Sequence, residues 1–337
     1  MKSIILFILI VVSVDSHAQD SLWGFGPPNL TATGQINGSW LNENVLTKRA
    51  MPYPHVREAD VLWSKRIWRA LDMREKLNHT IYYPLDEVTP YGWIRNADRW
   101  SLWTIIRKHV MNGELQVFSP YNPVSYGLGA IDGDQLKYPV QPEPGKDFYS
   151  DQNFRDEMVY YLGYLGEPGT TELVDEYGEP YLDTINGVAT FRYDDPDTMW
   201  YNSEDIVEYR LKEDWFFDKS RSEMDVRIIG MAPVVYTYET NANGQREISG
   251  KKELFWLYFP HCRYVFNNYY VYNSKNDAYP MSFDDLFWKR RFSSYIYKES
   301  NVYDRKIDSY RHGVDALYES EEITNEIRDF EHDLWSF

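Results

Sequence analysis

The feature that most constrains the fold is the stretch of residues 205–238, in which a charged segment runs directly into the longest apolar run beyond the N-terminus. Within the charged segment, Val207, Leu211 and Trp215 are spaced four residues apart. Residues at this spacing lie on one face of an α-helix, so the segment is predicted to be an amphipathic helix that buries Trp215.

The apolar run that follows, residues 226–235, is rich in β-branched side chains, among them Ile228. β-Branched residues favour strands, and Gly230 together with Pro233 indicates a bulge or bend near the middle of this strand. A helix followed at once by a sheet strand predicts a folding core at this point of the chain, with Ile228 among its buried residues.

The region before this core is predicted to alternate helices with short strands. Residues 58–77 have an apolar stripe opposite a charged face, which predicts an amphipathic helix. This stripe consists of Ala59, Trp63, Ile67 and Leu71. A second helix is predicted to begin at the cap residue Asn96 and to end at residues 112–113. Its stripe consists of Trp100, Trp103, Ile106 and Val110. Residues 80–83, 115–118, 155–193 and 254–266 are predicted to contain strands.

A short sequence echo suggests an internal pseudo-repeat of a helix–strand unit. Residues 285–292 align without gaps on residues 60–67, and the alignment places Trp288 and Phe292 on the stripe positions of the first helix. The expected fold class is α+β, with amphipathic helices packed on an antiparallel sheet. The predicted core residues are Trp63, Ile67, Trp103, Trp215, Ile228, Trp288 and Phe292.

Residues 1–18 have the three parts of an export signal: Lys2, an apolar run over residues 4–14, and small residues before Ala18. Cleavage is predicted between Ala18 and Gln19. The apolar run is too short to span a bilayer, and Gln19 in place of a cysteine argues against lipid attachment. The mature chain is therefore expected to be exported and soluble, with no direct insertion into a membrane.

Three segments are predicted to follow the signal. Residues 19–50 are rich in Gly, Asn, Ser and Thr without periodicity, which predicts an extended N-terminal arm. Residues 51–312 are expected to form the α+β core domain, which can divide into two lobes near the Pro- and Gly-containing residues 140–152. Residues 313–337 form an acidic C-terminal tail with a helical pattern.

The net charge of −17 is distributed unevenly along the chain. Residues 141–225 contain 22 acidic and 7 basic side chains, and residues 313–337 contain 8 acidic and 1 basic. This acidity argues against nucleic acid as a partner, because nucleic acid favours clustered Lys and Arg. Charge sorted into blocks suits docking to oppositely charged protein surfaces, although a solvated acidic face is an equal alternative for any one block.

The sequence contains no recognisable catalytic or metal-binding motif. The six histidines that remain without the signal are far apart, and no zinc-site, Walker, nucleophile-elbow or dinucleotide pattern occurs. No metal and no cofactor are therefore expected. Cys262, the single cysteine, is expected to be a buried inert thiol within a strand. A nucleophile pair with His261 is disfavoured, because adjacent strand residues point to opposite faces.

The enzymatic alternative is a secreted carbohydrate-active enzyme or a carbohydrate-binding protein. The 29 Tyr and 12 Trp residues could stack on sugars. Glu213, Asp214 and Asp218, close to Trp215, are the candidate carboxylates for an acid and base pair. Adjacent carboxylates of this kind are more often solvated or paired with arginine, so a function without catalysis is favoured.

Candidate partner-contact residues fall into two groups. The basic group, predicted on exposed helix faces, consists of Lys65, Arg66, Arg290 and Arg291; the aromatic group, in the N-terminal arm, consists of Trp23, Phe25 and Trp40. Arg and Trp are the residue types that tend to dominate interface energetics. The alternatives are that the basic residues are solvated charges near local acids and that the aromatic residues pack on their own domain.

Several of these segments resemble the GldN/PorN family, a gliding-motility and type IX secretion component of Bacteroidota. The resemblance is carried by two W-x-[KR]-R segments, by residues 45–57 and 63–84, and by residues 96–118 and 213–233. It implies a periplasmic structural protein that forms a ring with an outer-membrane lipoprotein of the GldK/PorK type. It also implies contact with the periplasmic domain of a GldM/PorM-type motor protein. The resemblance assigns no catalytic residues to the chain.

Overall fold

The structure is a computed structural model. It describes residues 50–89, 92–96, 99–122, 133–166, 182–185, 188–191, 198–241, 246–272 and 281–334. In this part of the chain the fold is α+β, as the sequence predicts: helices pack on an antiparallel sheet of eight strands.

The helices are α1 (His79–Tyr82), α2 (Leu102–Met111), α3 (Gln152–Leu162), α4 (Phe259–Phe266), α5 (Phe283–Trp288) and α6 (Val314–Leu334). The strands are β1 (Val61–Asp72), β2 (Glu87–Thr89), β3 (Gly92–Ile94), β4 (Val117–Phe118), β5 (Pro139–Val140), β6 (Gly163–Leu165), β7 (Leu182–Ile185), β8 (Val188–Phe191), β9 (Thr198–Trp200), β10 (Ile206–Asp218), β11 (Glu223–Thr240), β12 (Arg246–Glu253), β13 (Trp256–Tyr258), β14 (Tyr270–Val271), β15 (Met281–Ser282) and β16 (Tyr295–Glu299). The main sheet has the order β16-β1-β10-β11-β13-β4-β5, and β12 also pairs with β11. Smaller two-stranded sheets pair β2 with β3, β6 with β9, β7 with β8, and β14 with β15.

Two of the predicted helices are in fact neighbouring strands of this sheet. β1 pairs antiparallel with β10, from Val61 opposite Asp218 to Asp72 opposite Glu208. The helix predictions for residues 58–77 and for the start of 205–238 are therefore wrong. A spacing of four residues places side chains on one face of a helix, but four is also an even number. The same side chains therefore share one face of a strand.

The predicted bulge in the apolar run is confirmed. Lys212 of β10 pairs with Gly230, but the next residue, Glu213, pairs with Ile228, so Ile229 is an additional residue in β11. At Gly230 a Cβ atom would lie 3.1 Å from Cε3 of Trp256, a fully buried ring. Glycine is therefore the residue that lets β11 approach the neighbouring strand β13 at the bulge.

One face of β1 and β10 contributes to two separate apolar clusters. Leu71, Tyr209 and Leu211 belong to the main core, which also contains buried residues of α2, α4 and α5. Further along the same face of β1, Ile67 belongs to a second cluster with Ile323 of α6. The acidic tail thus packs on the sheet through the apolar side of a helix, as its sequence pattern predicts.

Four of the seven predicted core residues are buried: Ile67, Trp103, Ile228 and Phe292. Trp63 and Trp215 are half-buried beside the second cluster. Trp288 is 42 % exposed, so its assignment to the core is wrong. The cause is the sequence echo, which has no structural counterpart, since residues 60–67 lie mostly in strand β1 and residues 285–292 in α5 and the turn after it.

The second predicted helix is confirmed as α2, but its N-cap is Ser101 and not the predicted Asn96. The hydroxyl of Ser101 accepts a hydrogen bond from the Thr104 amide, whereas Asn96 accepts one from the Arg99 amide outside the helix. The predicted end is correct, with Asn112 as the C-cap and Gly113 at φ 73°. Glycine adopts this backbone conformation without steric cost.

Three of the regions predicted to contain strands contain helices, although β6, β7 and β8 do lie within residues 155–193 and β13 within residues 254–266. Residues 79–82 form α1, residues 152–162 form α3, and residues 259–266 form α4. Cys262 therefore lies in a helix, where it is buried while His261 is exposed. Burial raises the pKa of the Cys262 thiol far above its usual range, which disfavours the reactive thiolate. The division of the chain into signal, arm, core and tail remains a prediction.

Candidate protein interface

The most buried charge on the central strands is the carboxylate of Glu213, which has no exposed surface. Arg290 donates two hydrogen bonds to it, at 2.9 Å to Oε1 and 3.1 Å to Oε2. Arg69 makes a further ionic contact, with its Nε 3.3 Å from Oε2, and Trp215 donates its indole N–H at 3.0 Å. Burial lowers the pKa of Arg69, which Glu213 partly offsets.

This cluster changes the interpretation of Arg290. Its guanidinium is engaged by Glu213 and also lies over the ring of Trp215, with Cζ 5.3 Å from the ring centroid. Arg69 lies 5.4 Å from the same centroid. Arg290 therefore holds the turn after α5 on the sheet, and a partner would have to compete with Glu213 for its charge.

The other basic candidates differ in how strongly they are held. Lys65 forms an ion pair with Glu299 at 2.6 Å, and Arg66 donates two hydrogen bonds to Asp214 at 2.6 and 2.8 Å. Arg291 is exposed, and its guanidinium donates a hydrogen bond to the sulfur of Met281 at 3.8 Å. Arg291 is thus the most accessible of the four. The aromatic candidates Trp23, Phe25 and Trp40 lie outside the described residues.

The carboxylates considered for sugar hydrolysis do not form an acid and base pair. Glu213 and Asp214 are adjacent on β10, so their side chains point to opposite faces of the sheet. Asp218 is bonded to Arg221 at 2.8 Å, and this bond holds the pKa of Asp218 at about 2. All three are neutralised by arginine, whereas glycoside hydrolysis needs two carboxylates facing one sugar.

A cleft of about 240 Å³ opens next to Arg290. Tyr53 stacks on Trp288 in this cleft with 5.2 Å between the ring centroids. The guanidinium of Arg263 lies 4.4 Å from the centroid of Tyr53 and 4.9 Å from that of Trp288. Asp284 fixes Arg263 through hydrogen bonds of 2.7 and 3.1 Å. The segment that leads from the predicted arm into the domain is thus bound across an aromatic and charged cleft.

The outer edge of β11 borders the same cleft, because Asp225, Val226 and Ile228 line it. From Glu223 to Ile229 this strand pairs with β10 on one side, and no described strand pairs with it on the other. The Asp225 side chain accepts a hydrogen bond from the Val226 amide at 2.8 Å. An open strand edge beside aromatic side chains is an arrangement that can bind an extended peptide.

Sequence reasoning missed Tyr53, Arg263 and Asp284, which form this cleft. One local signal was present: Ser282 and Asp285 form a capping box that begins α5 and places Asp284 in its first turn. The pairing of Arg263 with Asp284 joins residues from separate helices and has no signal in the spacing.

In the described ranges, no helix combines the length and apolar character needed to cross a membrane.

Comparison with known proteins gives one informative match. The sequence model of a family described as "Gliding motility associated protein GldN" matches residues 56–336. The match covers the main sheet, the cleft-forming helices and the acidic tail. No curated protein sequence matches the chain.

Proposed function

The chain belongs to the GldN family of gliding motility associated proteins, and on this basis we propose that it is a non-enzymatic periplasmic part of the type IX secretion and gliding machinery. The observation that carries the proposal is the extent of the match, which spans residues 56–336. Because the match covers the main sheet and α6, the family assignment applies to the domain and to its acidic tail together.

In this proposal the protein forms a ring with an outer-membrane lipoprotein of the GldK/PorK type and contacts the periplasmic domain of a GldM/PorM-type motor protein. It is held at the outer membrane by the lipoprotein alone. The cleft around Tyr53 and Trp288 supports such a role, since an open strand edge and stacked aromatic and guanidinium groups are suited to protein contacts. The arginine-paired carboxylates of β10 support a role without catalysis.

The experiment is fractionation of envelopes from a strain that produces the tagged chain, with and without the lipoprotein gene. We expect the chain in the outer-membrane fraction when the lipoprotein is present and in the periplasmic fraction when it is absent. A periplasmic enzyme with the same tag provides the control for leakage. If the chain remains bound to membranes without the lipoprotein, the proposed mode of attachment is wrong.

A pull-down from native envelopes tests the assembly itself. We expect the tagged chain to bring down the lipoprotein together with untagged copies of the chain. A pure protein that degrades a polysaccharide and captures no envelope protein would overturn the proposed function.

A further inference from the structure

A cluster of cations and tryptophans lies beside α2 and the β2–β3 hairpin. The guanidinium of Arg95 lies 4.6 Å from the ring centroid of Trp93 and 4.8 Å from that of Trp100. Lys108 of α2 also contacts Trp100, with its Nζ 4.8 Å from the ring centroid. Arg107 lies 4.9 Å from Trp93. We call these five residues, with the neighbouring Arg99, the basic–aromatic patch.

The outer cations of this patch are Arg95 and Arg99, which are exposed, and Lys108, which is half-buried. Burial lowers the pKa of Lys108, and the nearby charge of Glu114 offsets this only in part. Arg95, Arg99 and Lys108 each contact an aromatic ring, and in the described part of the chain none of the three forms an ion pair with a carboxylate. This differs from Arg66 and Arg290, which each form two hydrogen bonds with an acid. In a chain with a net charge of −17, cations that form no ion pair with the described carboxylates are an unusual surface.

The guanidinium of Arg107 adds a buried positive charge to the same place. Arg107 is 3 % exposed, it donates to the carbonyl of Tyr201 at 3.1 Å, and its Nε has no hydrogen-bond partner. The negative charge of Asp86 acts favourably on the Arg107 guanidinium, but the oxygens of Asp86 accept hydrogen bonds from Trp93 and Ser203. Burial lowers the pKa of Arg107 to about 10, which reflects the cost of a poorly compensated charge.

The complementary surface of the chain is the outer side of α6. The helix contains eight acidic residues and one basic residue, and it packs on the sheet through Ile323 and Ile327. Asp315, Glu322 and Asp329 are exposed and seven residues apart. This spacing places them along one side of the helix, about 10 Å from one to the next. We call this line of carboxylates the acidic stripe.

We propose that the basic–aromatic patch of one copy binds the acidic stripe of α6 in a second copy. The choice of a second copy rests on charge complementarity and on the proposed function, in which copies of this chain form a ring. The two surfaces belong to different elements: α6 packs on the β16 side of the sheet, and the patch lies beside α2 and β3. A contact between two different surfaces repeats head to tail, and this is the contact that closes rings of more than two subunits.

The tryptophan rings of the patch strengthen such a contact. Aromatic rings already cover one side of Arg95 and Lys108. A carboxylate that contacts either cation displaces water from its other side and forms charge-assisted hydrogen bonds with it. The exposed ring of Tyr272, 4.7 Å from Arg99, extends the same surface.

The first test is cysteine cross-linking in producing cells with the full chain. The substitutions are Arg99→Cys and Glu322→Cys, both at exposed positions, in a chain whose native Cys262 is buried. On oxidation we expect a ladder of dimers, trimers and larger species that a reducing agent collapses. The matched control is Arg305→Cys with Glu322→Cys, which places the first thiol at an exposed arginine of another surface. A ladder equal to the control, or a disulfide formed only within one chain, overturns the proposal.

The second test uses two charge-reversed proteins. We expect Arg95→Glu/Arg99→Glu and Glu322→Lys/Asp329→Lys each to weaken self-association by more than about tenfold. In an equal mixture the intact patch meets the intact stripe and the acidic reversed patch meets the basic reversed stripe, so both contacts regain opposite charges and the mixture should recover assemblies larger than a dimer. Assemblies of normal size from either variant overturn the inferred contact, and the proposed function stands if these variants still bind the lipoprotein. A wild-type chain that is monomeric in native envelopes overturns both.

Binding of peptidoglycan or anionic lipid vesicles measures the competing possibility. If the wild-type chain binds either one and Arg95→Glu/Arg99→Glu abolishes that binding while self-association persists, the patch serves that ligand and the inference is wrong.

Discussion

Arg290 holds Glu213 with two hydrogen bonds of 2.9 and 3.1 Å, one to each carboxylate oxygen, although 77 residues separate them in the chain. The carboxylate has no exposed surface, so its charge depends on the two arginines that face it. The pair ties the turn after α5 to the middle of β10.

The first prediction concerns the loss of this pair. Arg290→Ala leaves Glu213 buried with Arg69 as its remaining cation, so we expect the free energy of unfolding to fall by about 3 kcal/mol. Urea unfolding followed by tryptophan fluorescence measures it. The control is the neighbouring exposed residue, Arg291→Ala, which should change the stability by less than about 0.5 kcal/mol. Equal effects of the two substitutions would show that Glu213 does not need Arg290.

The second prediction concerns the close approach at the bulge. A side chain at Gly230 meets the ring of Trp256, which is 1 % exposed and donates its indole N–H to Glu253 at 2.8 Å. We expect Gly230→Val to reduce the free energy of unfolding by about 2 kcal/mol, because the ring cannot move aside. Gly250→Val is the matched control in the same sheet. There the nearest atom is Thr237 Oγ1 at 3.4 Å, so the loss should be much smaller. Comparable losses would contradict the packing at Gly230.

The third prediction concerns acid sensitivity. The hydrogen bond from Arg221, with smaller contributions from hydrogen bonds of Ser220, lowers the pKa of Asp218 to about 2. This is below the value of about 3.9 in an unfolded chain. A lowered pKa in the folded state stabilises the protein above the unfolded pKa, and this contribution is lost as the pH falls from about 4 to 2. Asp218→Asn should therefore destabilise the protein at pH 7 and differ less from the wild type at pH 2. Denaturant midpoints across this range give the answer, with the exposed Asp308→Asn as control. A constant difference between Asp218→Asn and the wild type would disprove the linkage.

The fourth prediction concerns the segment bound in the cleft. Tyr53 is held by Trp288, Arg263 and Arg227, and Arg227 also donates to the carbonyl of Pro54 at 2.5 Å. Tyr53→Ala should release this segment and increase tryptic cleavage after the exposed Arg57 several-fold. Mass spectrometry of a fragment that begins at Glu58 detects the cut. Tyr303→Ala, at an exposed tyrosine elsewhere, should leave the rate unchanged. No increase for Tyr53→Ala would mean that the stack does not hold the segment.

The sequence identified α2 correctly and β1 wrongly for one physical reason. The α2 stripe contains spacings of three, as between Trp100 and Trp103, and an odd spacing cannot keep two side chains on one face of a strand. The β1 stripe contains only spacings of four, as between Trp63 and Ile67, which fit either structure. A pattern restricted to even spacings therefore cannot decide between helix and strand.

The candidate interface was harder to predict than the fold class. The sequence predicts Lys65, Arg66 and Arg290 as basic residues on exposed faces, but their accessibility depends on acids that are distant in sequence, such as Glu299, Asp214 and Glu213. The family resemblance depends on the sequence alone and not on these pairings, and it is confirmed. The cleft around Tyr53 depends on three separate segments meeting, which no local pattern encodes.

The additional residue in β11 divides the strand into two halves of opposite parity. Before it, even-numbered residues such as Ile228 face the main core; after it, odd-numbered residues such as Met231 and Val235 do so. Removing one amino acid from positions 225 to 228 would shift the residues between the deletion and the bulge by one position and turn them to the opposite face of the sheet. The segment therefore has a fixed length, and we expect it to reject single-residue insertions and deletions that a surface loop would accommodate.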